Sequence, residues 1–392
     1  MGNGSMCASA LVPLTTLTRR PAPISFPLLS TRNFDRSRHN NNDVLRLSES
    51  ISSSPSNSSN NTSNATQSLS SFLSVMWRFT RPHTIIGSAL AIPSLHILAA
   101  PSYAEALTVR SICSMLYAMV PALLMNLYIT GLNQITDVEI DKINKPNLPI
   151  AKGDLSVKSA TITVILSLVV SLVLGVAGSP AFATEGLNIA LGMSAFLGTL
   201  YSLSPFRLKR FPLLAAFCIV SVRGAVINAG FFAHAKAAAY GGVAASSTSS
   251  VLGCLWNDPR CSLSSLYFAV FGLVIALMKD VPDIKGDELS NIRTVSVRLG
   301  AKTVYRTMHR LLTGLFWAAG IAFFRGAIVT STATMAVRLG RAFVGISGLL
   351  AGASVQREAA PVDPENPKQV YDFYMHLWKL FYLSYFVLPL AR

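Results

Sequence analysis

Long runs of apolar residues, separated by short polar segments, make up most of the chain from about residue 83 to its end. An apolar run of about 17–25 residues is long enough to cross the hydrocarbon core of a bilayer as a helix. Runs of this kind lie near residues 83–100, 110–132, 158–178, 186–204, 211–233, 263–281, 304–324, 335–354 and 371–390. The eighth is the weakest, because Arg338 and Arg341 lie near its start. The pattern predicts an all-α fold, a polytopic membrane bundle of about nine transmembrane helices.

The composition also indicates a membrane protein. Of the 392 residues, 51% are hydrophobic and 13% are charged, and the mean hydropathy is +0.46. This balance lies outside the usual range of soluble globular proteins. The net charge of +15 would suit a protein that binds nucleic acid, but the basic residues lie between the apolar runs and form no basic domain. We therefore expect a lipid membrane as a partner, and no nucleic acid.

Basic residues are concentrated on one side of the predicted bundle. If the spans alternate in direction, the loops after the second, fourth and sixth spans lie on the same side as the N-terminus. These loops contain Lys142, Lys145, Lys152, Lys158, Arg207, Lys209, Arg210, Lys279, Lys285, Arg293, Arg298 and Lys302. The main basic residues of the opposite loops are Arg110, Lys236, Arg260 and Arg325. The positive-inside rule places the basic loops on the stromal or cytoplasmic side.

One of the opposite loops, at about residues 234–262, is unusually long. Its composition predicts a flexible excursion without a recognisable motif. Cys254 and Cys261 lie in it and could form a disulfide in an oxidising lumen. We favour two separate thiols.

Residues 1–69 differ in composition from the rest of the chain. They are rich in Ser, Asn and Thr and contain six arginines against three acidic residues. Organellar transit peptides have this composition, and we favour a plastid. A secretory signal built on the short apolar run at residues 8–14 and a disordered cytosolic tail are alternatives. The predicted organisation is a transit segment at 1–69 and one transmembrane domain at 70–392, in a plastid (chloroplast) membrane.

Two acidic motifs follow even-numbered spans. In NQITDVEID, Asn133, Asp137 and Asp141 are spaced i, i+4 and i+8, so on a helix they share one face, and Glu139 points away from it. In MKDVPDIKGD, spacings of i, i+3 and i+7 again give one face, with Asp280, Asp283 and Asp287. Both motifs are expected at the same membrane surface.

The acidic motifs point to a divalent cation. Six oxygen-bearing side chains at one surface would repel one another unless cations lay between them. Mg²⁺ prefers carboxylates together with substrate phosphates, and no His or Cys lies near either motif to suggest zinc. Solvated loop charges are an alternative that the matching of two motifs disfavours. A cation channel or transporter would need acidic residues at membrane depth, whereas these lie at span ends beside basic residues.

Basic residues at the same predicted surface could bind a diphosphate. The loop YSLSPFRLKRFP contains Tyr201, Arg207, Lys209 and Arg210. Anchoring of a helix end at the membrane surface is the alternative interpretation. Further candidates are Arg81 before the first span, Lys279 beside the second motif, and Arg223. Arg223 is the most informative, because an unpaired charge inside an apolar span is costly.

At these residues the sequence resembles the UbiA superfamily of intramembrane aromatic prenyltransferases. The motif N-x-x-x-D-x-x-x-D corresponds to residues 133–141, the motif D-x-x-D-x-x-x-D to residues 280–287, and the Y-x-x-x-K/R-type loop to Tyr201 with Lys209 and Arg210. The resemblance covers about residues 75–390. The segments RPHTIIGS and KDVPDIKGD most resemble plant and algal homogentisate prenyltransferases, above all the phytyltransferase of tocopherol synthesis. Lys152 and Lys285 depart from the usual pattern beside the motifs, which leaves donor and acceptor open.

The resemblance implies Mg²⁺-dependent transfer of a prenyl group from its diphosphate to an aromatic acceptor. It implies metal binding by Asp137, Asp141, Asp283 and Asp287, and catalytic roles for these four and Asp280. It implies substrate binding by Asn133, Arg81, Tyr201, Lys209, Arg210, Arg223 and Lys279. The expected donors are phytyl, geranylgeranyl or solanesyl diphosphate, and the expected acceptor is homogentisate, which would lose its carboxyl group as carbon dioxide. Chlorophyllide, a flavonoid and a coumarin are alternative acceptors.

Overall fold

The computed structural model describes residues 70–241, 250–330 and 334–391, and these are helical without a β-strand. A helix at 70–79 leads into the bundle. The nine long helices are α1 (Pro82–Ala99), α2 (Val109–Thr136), α3 (Val157–Ala177), α4 (Glu185–Ser202), α5 (Pro212–Ala238), α6 (Pro259–Lys279), α7 (Ala301–Val329), α8 (Met335–Ala359) and α9 (Pro367–Val387). The predicted all-α class is confirmed. The predicted transit segment lies outside the described residues.

Seven of these helices are long and apolar enough to cross a membrane, which makes the protein a multi-pass membrane protein. The exceptions among the nine are α4 and α9. The helix α9 carries Lys368, Asp372 and Lys379, and α4 contains several glycines and polar residues. The predicted count of about nine spans is therefore not confirmed, although a helix lies at each of the nine predicted places.

The starts of the helices follow signals in the sequence. Proline occupies a first-turn position in α1, α5, α6 and α9, where its missing N–H costs no hydrogen bond. The hydroxyls of Thr108, Ser156 and Thr184 accept hydrogen bonds from backbone N–H groups in the first turns of α2, α3 and α4.

Short helices connect the long ones at both ends of the bundle. At the end that carries the acidic motifs they are Val138–Asn144, Pro149–Lys152, Leu208–Arg210, Ile284–Leu289 and Val295–Leu299. At the other end, helix Val251–Asn257 lies between α5 and α6. The predicted excursion at 234–262 is thus largely helical where it is described, because its apolar residues pack on α1 and α5. No disulfide joins the buried side chains of Cys254 and Cys261 in this part of the structure.

The helix α5 is interrupted by a π-helical segment, Ser221–Val226. A π-segment leaves backbone carbonyls without their usual partners. The buried side-chain amide of Asn228 supplies donors, to the carbonyl oxygens of Arg223 and Gly224. This local change of helix period fixes the backbone that carries Arg223.

Candidate active site

The first acidic motif lies at a break between two helices. Asp137 ends α2 with φ −118° and ψ 16°, and helix Val138–Asn144 starts immediately after it. The prediction of one continuous helical face through Asp141 is therefore wrong. The i, i+4 relation survives in the last turn of α2, where Asn133 Nδ2 donates to Asp137 Oδ2 at 2.9 Å.

The second motif is divided in the same way. The helix α6 ends at Lys279, Asp280 caps it, and Asp283 precedes helix Ile284–Leu289, which contains Asp287 in its first turn. The prediction that these three aspartates share one helical face is also wrong, because residues 281–283 turn the chain between the two helices. Lys279 Nζ lies 3.7 Å from Asp280 Oδ1.

The two motifs meet, as the predicted common membrane surface required. Lys145, four residues after Asp141, forms an ion pair with Asp283. Asn144 joins the backbones: its Nδ2 donates to the Asp283 carbonyl at 3.2 Å, and its Oδ1 accepts from Gly286 N at 3.1 Å. The sequence analysis did not place Lys145 or Asn144 among the site residues, although their position directly after the first motif was a usable signal.

The basic loop after α4 closes on Asp137. Lys209 donates to both carboxylate oxygens of Asp137, and Arg207 Nη2 donates to Asp137 Oδ1 at 2.8 Å. Arg210 is exposed and lies outside this cluster. Arg207 was predicted as one of the basic residues of this loop, but it was not among the substrate-binding residues that the family resemblance implied. The short 3₁₀ helix Leu208–Arg210 directs Lys209 inward and Arg210 outward.

Burial and charge oppose each other at Asp137. Burial by itself raises the pKa of this carboxyl group, but Lys209 and Arg207 outweigh it and hold the pKa below its usual value. Burial lowers the pKa of Lys209 to about 8, against the opposing effect of Asp137. At Asp141 burial prevails over Arg81 and raises the pKa.

Asp280 and Asp287 are acids of raised pKa. Burial is the largest cause for both. The charges of Asp280 and Asp283 act in the same direction on Asp287 and bring its pKa to about 7. Proximity of like charges is what a site that gathers cations requires.

The two acidic motifs form one charged cluster with Lys145, Arg207 and Lys209. A cavity of about 230 Å³ extends from this cluster into the bundle. Five predicted substrate-binding residues line it: Arg81, Asn133, Tyr201, Arg223 and Lys279. The rest of its wall is mainly apolar, and includes Met125, Leu191, Ile227, Phe231 and Trp378. The aspartates are not part of the lining, but Asn133 and Lys279 connect it to Asp137 and Asp280.

The donor set fits a hard cation. Asp137, Asp141, Asp283 and Asp287 are each less than a tenth exposed, and the buried Oδ2 of Asp141 has no hydrogen-bond partner, with Arg81 Nη2 3.8 Å away. Within the described residues, no three His, Cys, Asp or Glu side chains are grouped closely enough to hold a metal ion alone. Mg²⁺ usually needs only one or two carboxylates together with substrate phosphates.

The sequence pattern of the UbiA prenyltransferase family matches residues 76–380, which include every residue of the cluster and the cavity. The chain belongs to this family. It is 37% identical over 324 residues to the homogentisate geranylgeranyltransferase of Hordeum vulgare, covering 82% of this chain and 73% of that protein. It is 35% identical over 329 residues to the chloroplastic homogentisate phytyltransferase 1 of Arabidopsis thaliana, covering 83% and 77%. The protein is a prenyltransferase, and the channel or transporter alternative is excluded.

The fold is that of a UbiA homologue from Archaeoglobus fulgidus whose structure was solved with GPP and Mg²⁺. The TM-score is 0.51 at 14% identity, over 80% of this chain and 99% of that one. The membrane-embedded helical domain of the UbiA family is thus the architecture that holds the cluster and the cavity.

Proposed function

We propose that this prenyltransferase transfers a phytyl group from phytyl diphosphate to homogentisate, with loss of the carboxyl group, in tocopherol (vitamin E) biosynthesis. One observation supports the proposal most strongly: the cluster of carboxylates and basic side chains adjoins an apolar cavity inside a membrane bundle. An allylic diphosphate needs both: a charged site for the leaving group and a dry space for the carbocation.

The mouth of the cavity is the end at which Asn133 and Lys279 connect it to the acidic motifs. There, the residues of this chain would hold the diphosphate. Mg²⁺, when bound by Asp137, Asp141, Asp283 and Asp287, would neutralise the diphosphate and polarise the bond to the allylic carbon. Lys279 and Arg81, which line the cavity there, would bind the remaining phosphate charge, with Tyr201 orienting the donor. Asp280 would hold the Lys279 ammonium in place.

In the cavity, the prenyl carbon would meet the acceptor ring. The bond from the allylic carbon to oxygen breaks, and the diphosphate leaves with the electron pair. A ring carbon forms the new carbon–carbon bond and loses its proton. The bond between the side-chain methylene and the carboxylate then breaks, carbon dioxide leaves, and the methylene carbon keeps the electron pair and takes up a proton. The proton lost and the proton gained balance.

The relatives support a donor of phytyl length. The barley and Arabidopsis proteins are named for geranylgeranyl and phytyl transfer, and these two chains are equally long, whereas solanesyl is more than twice that length. Phytyl remains our first choice because the sequence segments resemble phytyltransferases most. Transfer of solanesyl to homogentisate is the second candidate.

The Arabidopsis relative is named as a chloroplastic protein, which supports a plastid location, for which residues 1–69 would be the transit peptide. The mouth of the cavity would then face the stroma, because the basic loops surround it. Import of the full chain, and of a chain starting at residue 70, into isolated chloroplasts tests this assignment. Equal import of both would contradict it.

One assay tests the activity itself. Membranes that contain the protein receive Mg²⁺, labelled homogentisate and one of phytyl, geranylgeranyl or solanesyl diphosphate. We expect decarboxylated prenyl product chiefly with phytyl diphosphate, and none when EDTA replaces Mg²⁺. Product with solanesyl diphosphate alone would favour the second candidate. No product with any of the three would refute homogentisate as the acceptor.

A further inference from the structure

Arg223 is a cation placed well below the mouth of the cavity. A Cβ atom at Gly272 of α6 would lie 3.0 Å from Arg223 Cβ, so the Arg223 side chain packs directly against α6 at Gly272. Gly272 precedes Lys279 by seven residues, a rise of about 10 Å along a helix. Arg223 thus lies about two helical turns deeper than Lys279, Asp280 and the acidic cluster.

The guanidinium of Arg223 has aromatic neighbours in place of a carboxylate. Its Cζ lies 5.0 Å from the ring centre of Trp378 and 5.7 Å from that of Phe381. In the part of the chain that the structure describes, no Asp or Glu forms a salt bridge with it. A guanidinium stays charged at any physiological pH, and an uncompensated charge within an apolar bundle is costly. A ligand anion in the cavity would compensate that charge.

The diphosphate is not the anion that we expect beside Arg223. The charge of the diphosphate has other partners at the mouth of the cavity, where Arg81, Lys279 and the aspartates lie. The guanidinium of Arg223 is instead a planar donor lying against Trp378, and such a fork suits the two oxygens of a carboxylate. Homogentisate carries one carboxylate, on a methylene group attached to its aromatic ring.

Groups that suit phenolic hydroxyls lie in the same cavity. Thr84, Ser88 and Asn126 all line it. Thr84 Oγ1 lies 3.1 Å from Asn126 Oδ1, and Asn126 Nδ2 donates to Ser88 Oγ at 3.2 Å. A Cβ atom at Gly87 would lie 3.3 Å from Trp378 Cζ3, so this turn of α1 is level with the ring that Arg223 contacts.

We propose that Arg223 recognises the carboxylate of the aromatic acceptor, while Thr84, Ser88 and Asn126 bind its ring hydroxyls. The proposal rests on the proposed function and deepens it, because it makes Arg223 the residue that selects phenols with a carboxylate group over neutral phenols. The reaction removes the carboxylate as carbon dioxide, so the product loses this ion pair. Arg223 therefore also distinguishes acceptor from product.

The test compares homogentisate with its neutral amide, 2,5-dihydroxyphenylacetamide. For the wild-type protein in detergent, we expect homogentisate to raise the midpoint of thermal unfolding and the amide to have little effect. In Arg223→Gln the KM for homogentisate should rise about 100-fold, as for loss of a buried charge pair. The KM for phytyl diphosphate should stay within about two-fold of wild type. Arg223→Lys should recover part of the loss, and the exposed Arg306→Gln should match wild type.

Three results would decide against the proposal. If homogentisate and its amide both stabilise the wild-type protein, and do so equally, the proposal is overturned without any variant, so a folding defect of Arg223→Gln cannot hide the answer. A rise in KM for the diphosphate alone would make Arg223 a diphosphate ligand. The proposal would also be overturned if no tested hydroxyaryl carboxylate stabilised the protein more than its own amide does.

A further outcome separates this proposal from the proposed function. Homogentisate is not turned over, but hydroxybenzoates stabilise the wild type better than their amides and do not stabilise Arg223→Gln. The role of Arg223 then stands and only the acceptor assignment fails.

Discussion

Lys209 donates hydrogen bonds to both carboxylate oxygens of Asp137, although 72 positions separate the two residues. The contact joins the loop after α4 to the end of α2 and encloses a buried carboxylate between two cations, Lys209 and Arg207. A buried ion pair of this kind costs desolvation energy that its attraction only partly returns. It therefore matters more for the geometry of the mouth than for the net stability of the bundle.

This contact predicts a difference between single and double variants. Lys209→Met leaves the buried Asp137 with Arg207 as its remaining cation, and the free energy of unfolding should fall by about 3 kcal/mol. Adding Asp137→Asn removes the carboxylate that Arg207 alone compensates only in part, and should restore most of the loss in stability. Prenyl transfer should be lost in the double variant, because the Asp137 carboxylate would be needed to hold Mg²⁺. Thermal unfolding in detergent measures the stability. Lys302→Met, which breaks an exposed pair with Glu365, is the matched control and should cost at most about 1 kcal/mol. Equal instability of the single and double variants would contradict the account.

The side chains of Asp141 and Glu139 should differ sharply in their effect on activity. Asp141 is buried beside Arg81, whereas the Glu139 side chain is 82% exposed and pairs with Lys142. Asp141→Asn should lower kcat/KM by about 100-fold or more, because a charge that acts on the leaving group is lost. Glu139→Gln should stay within about two-fold of wild type. Similar losses in both variants would remove Asp141 from the metal and diphosphate assignment.

The contact of the Asn144 side chain with the second motif can be tested at Gly286. A Cβ atom there would lie 2.1 Å from Asn144 Oδ1, so Gly286→Ala must displace the Asn144 side chain and disturb its hydrogen bonds to the second motif. Contacts that orient metal ligands typically contribute about ten-fold or more to metal affinity. We expect the Mg²⁺ concentration for half-maximal activity to rise by about that factor. Gly314→Ala, where a Cβ atom meets nothing within 4 Å, should leave it unchanged. Unchanged Mg²⁺ dependence in Gly286→Ala would show that the motifs act independently.

Apolar runs locate the helices in this protein well, because a chain in lipid must satisfy its backbone within each helix. The prediction of 110–132 for the second span is shorter than α2, which continues to Thr136. The extra turn carries Asn133 and is polar, so hydrophobicity alone could not detect it. The spacing of the acidic residues identified them as a group, and the structure brings the two motifs together.

The shape of the site could not be derived from spacing. The spacing assumed a continuous helix through Asp137, but the chain breaks there, where Lys209 and Arg207 bind the side chain from a distant loop. The same loop shows why Arg210 could not be separated from Arg207 in the sequence. Which cation turns inward depends on the left-handed backbone of Arg207, with φ 40°, and on the 3₁₀ turn after it.

Asp258, at the opposite end of the bundle, should make a pH-dependent contribution to the stability of the fold. Its carboxylate accepts hydrogen bonds from Arg260 N, Nε and Nη2 and lies 3.4 Å from Lys236 Nζ. Burial raises the pKa of Asp258, but Arg260 and then Lys236 outweigh it and lower the pKa. A lowered folded-state pKa contributes stability above the unfolded value of about 3.9, and this is lost as the pH falls through the folded value. Unfolding temperatures of wild type and Asp258→Asn should therefore differ at pH 5–8 and converge below about pH 4. A difference that persists at acid pH would assign the effect to helix capping.

The packing of α4 on α5 rests on backbone contact at Gly186. A Cβ atom there would lie 2.5 Å from the Gly230 carbonyl oxygen and 2.6 Å from His234 N, which are backbone atoms that cannot rotate away. Small residues allow such close approach of helices in membranes, where dispersion contacts replace the hydrophobic effect. Gly186→Ala should therefore force the helices apart and lower the free energy of unfolding by about 1–3 kcal/mol.

Gly192 lies on the same helix, but a Cβ atom there meets nothing within 4 Å. Gly192→Ala should be neutral or stabilising by up to about 1 kcal/mol, since alanine has the higher helix propensity. Because both changes add one methyl group to one helix, equal effects of the two on thermal unfolding would refute close packing at Gly186.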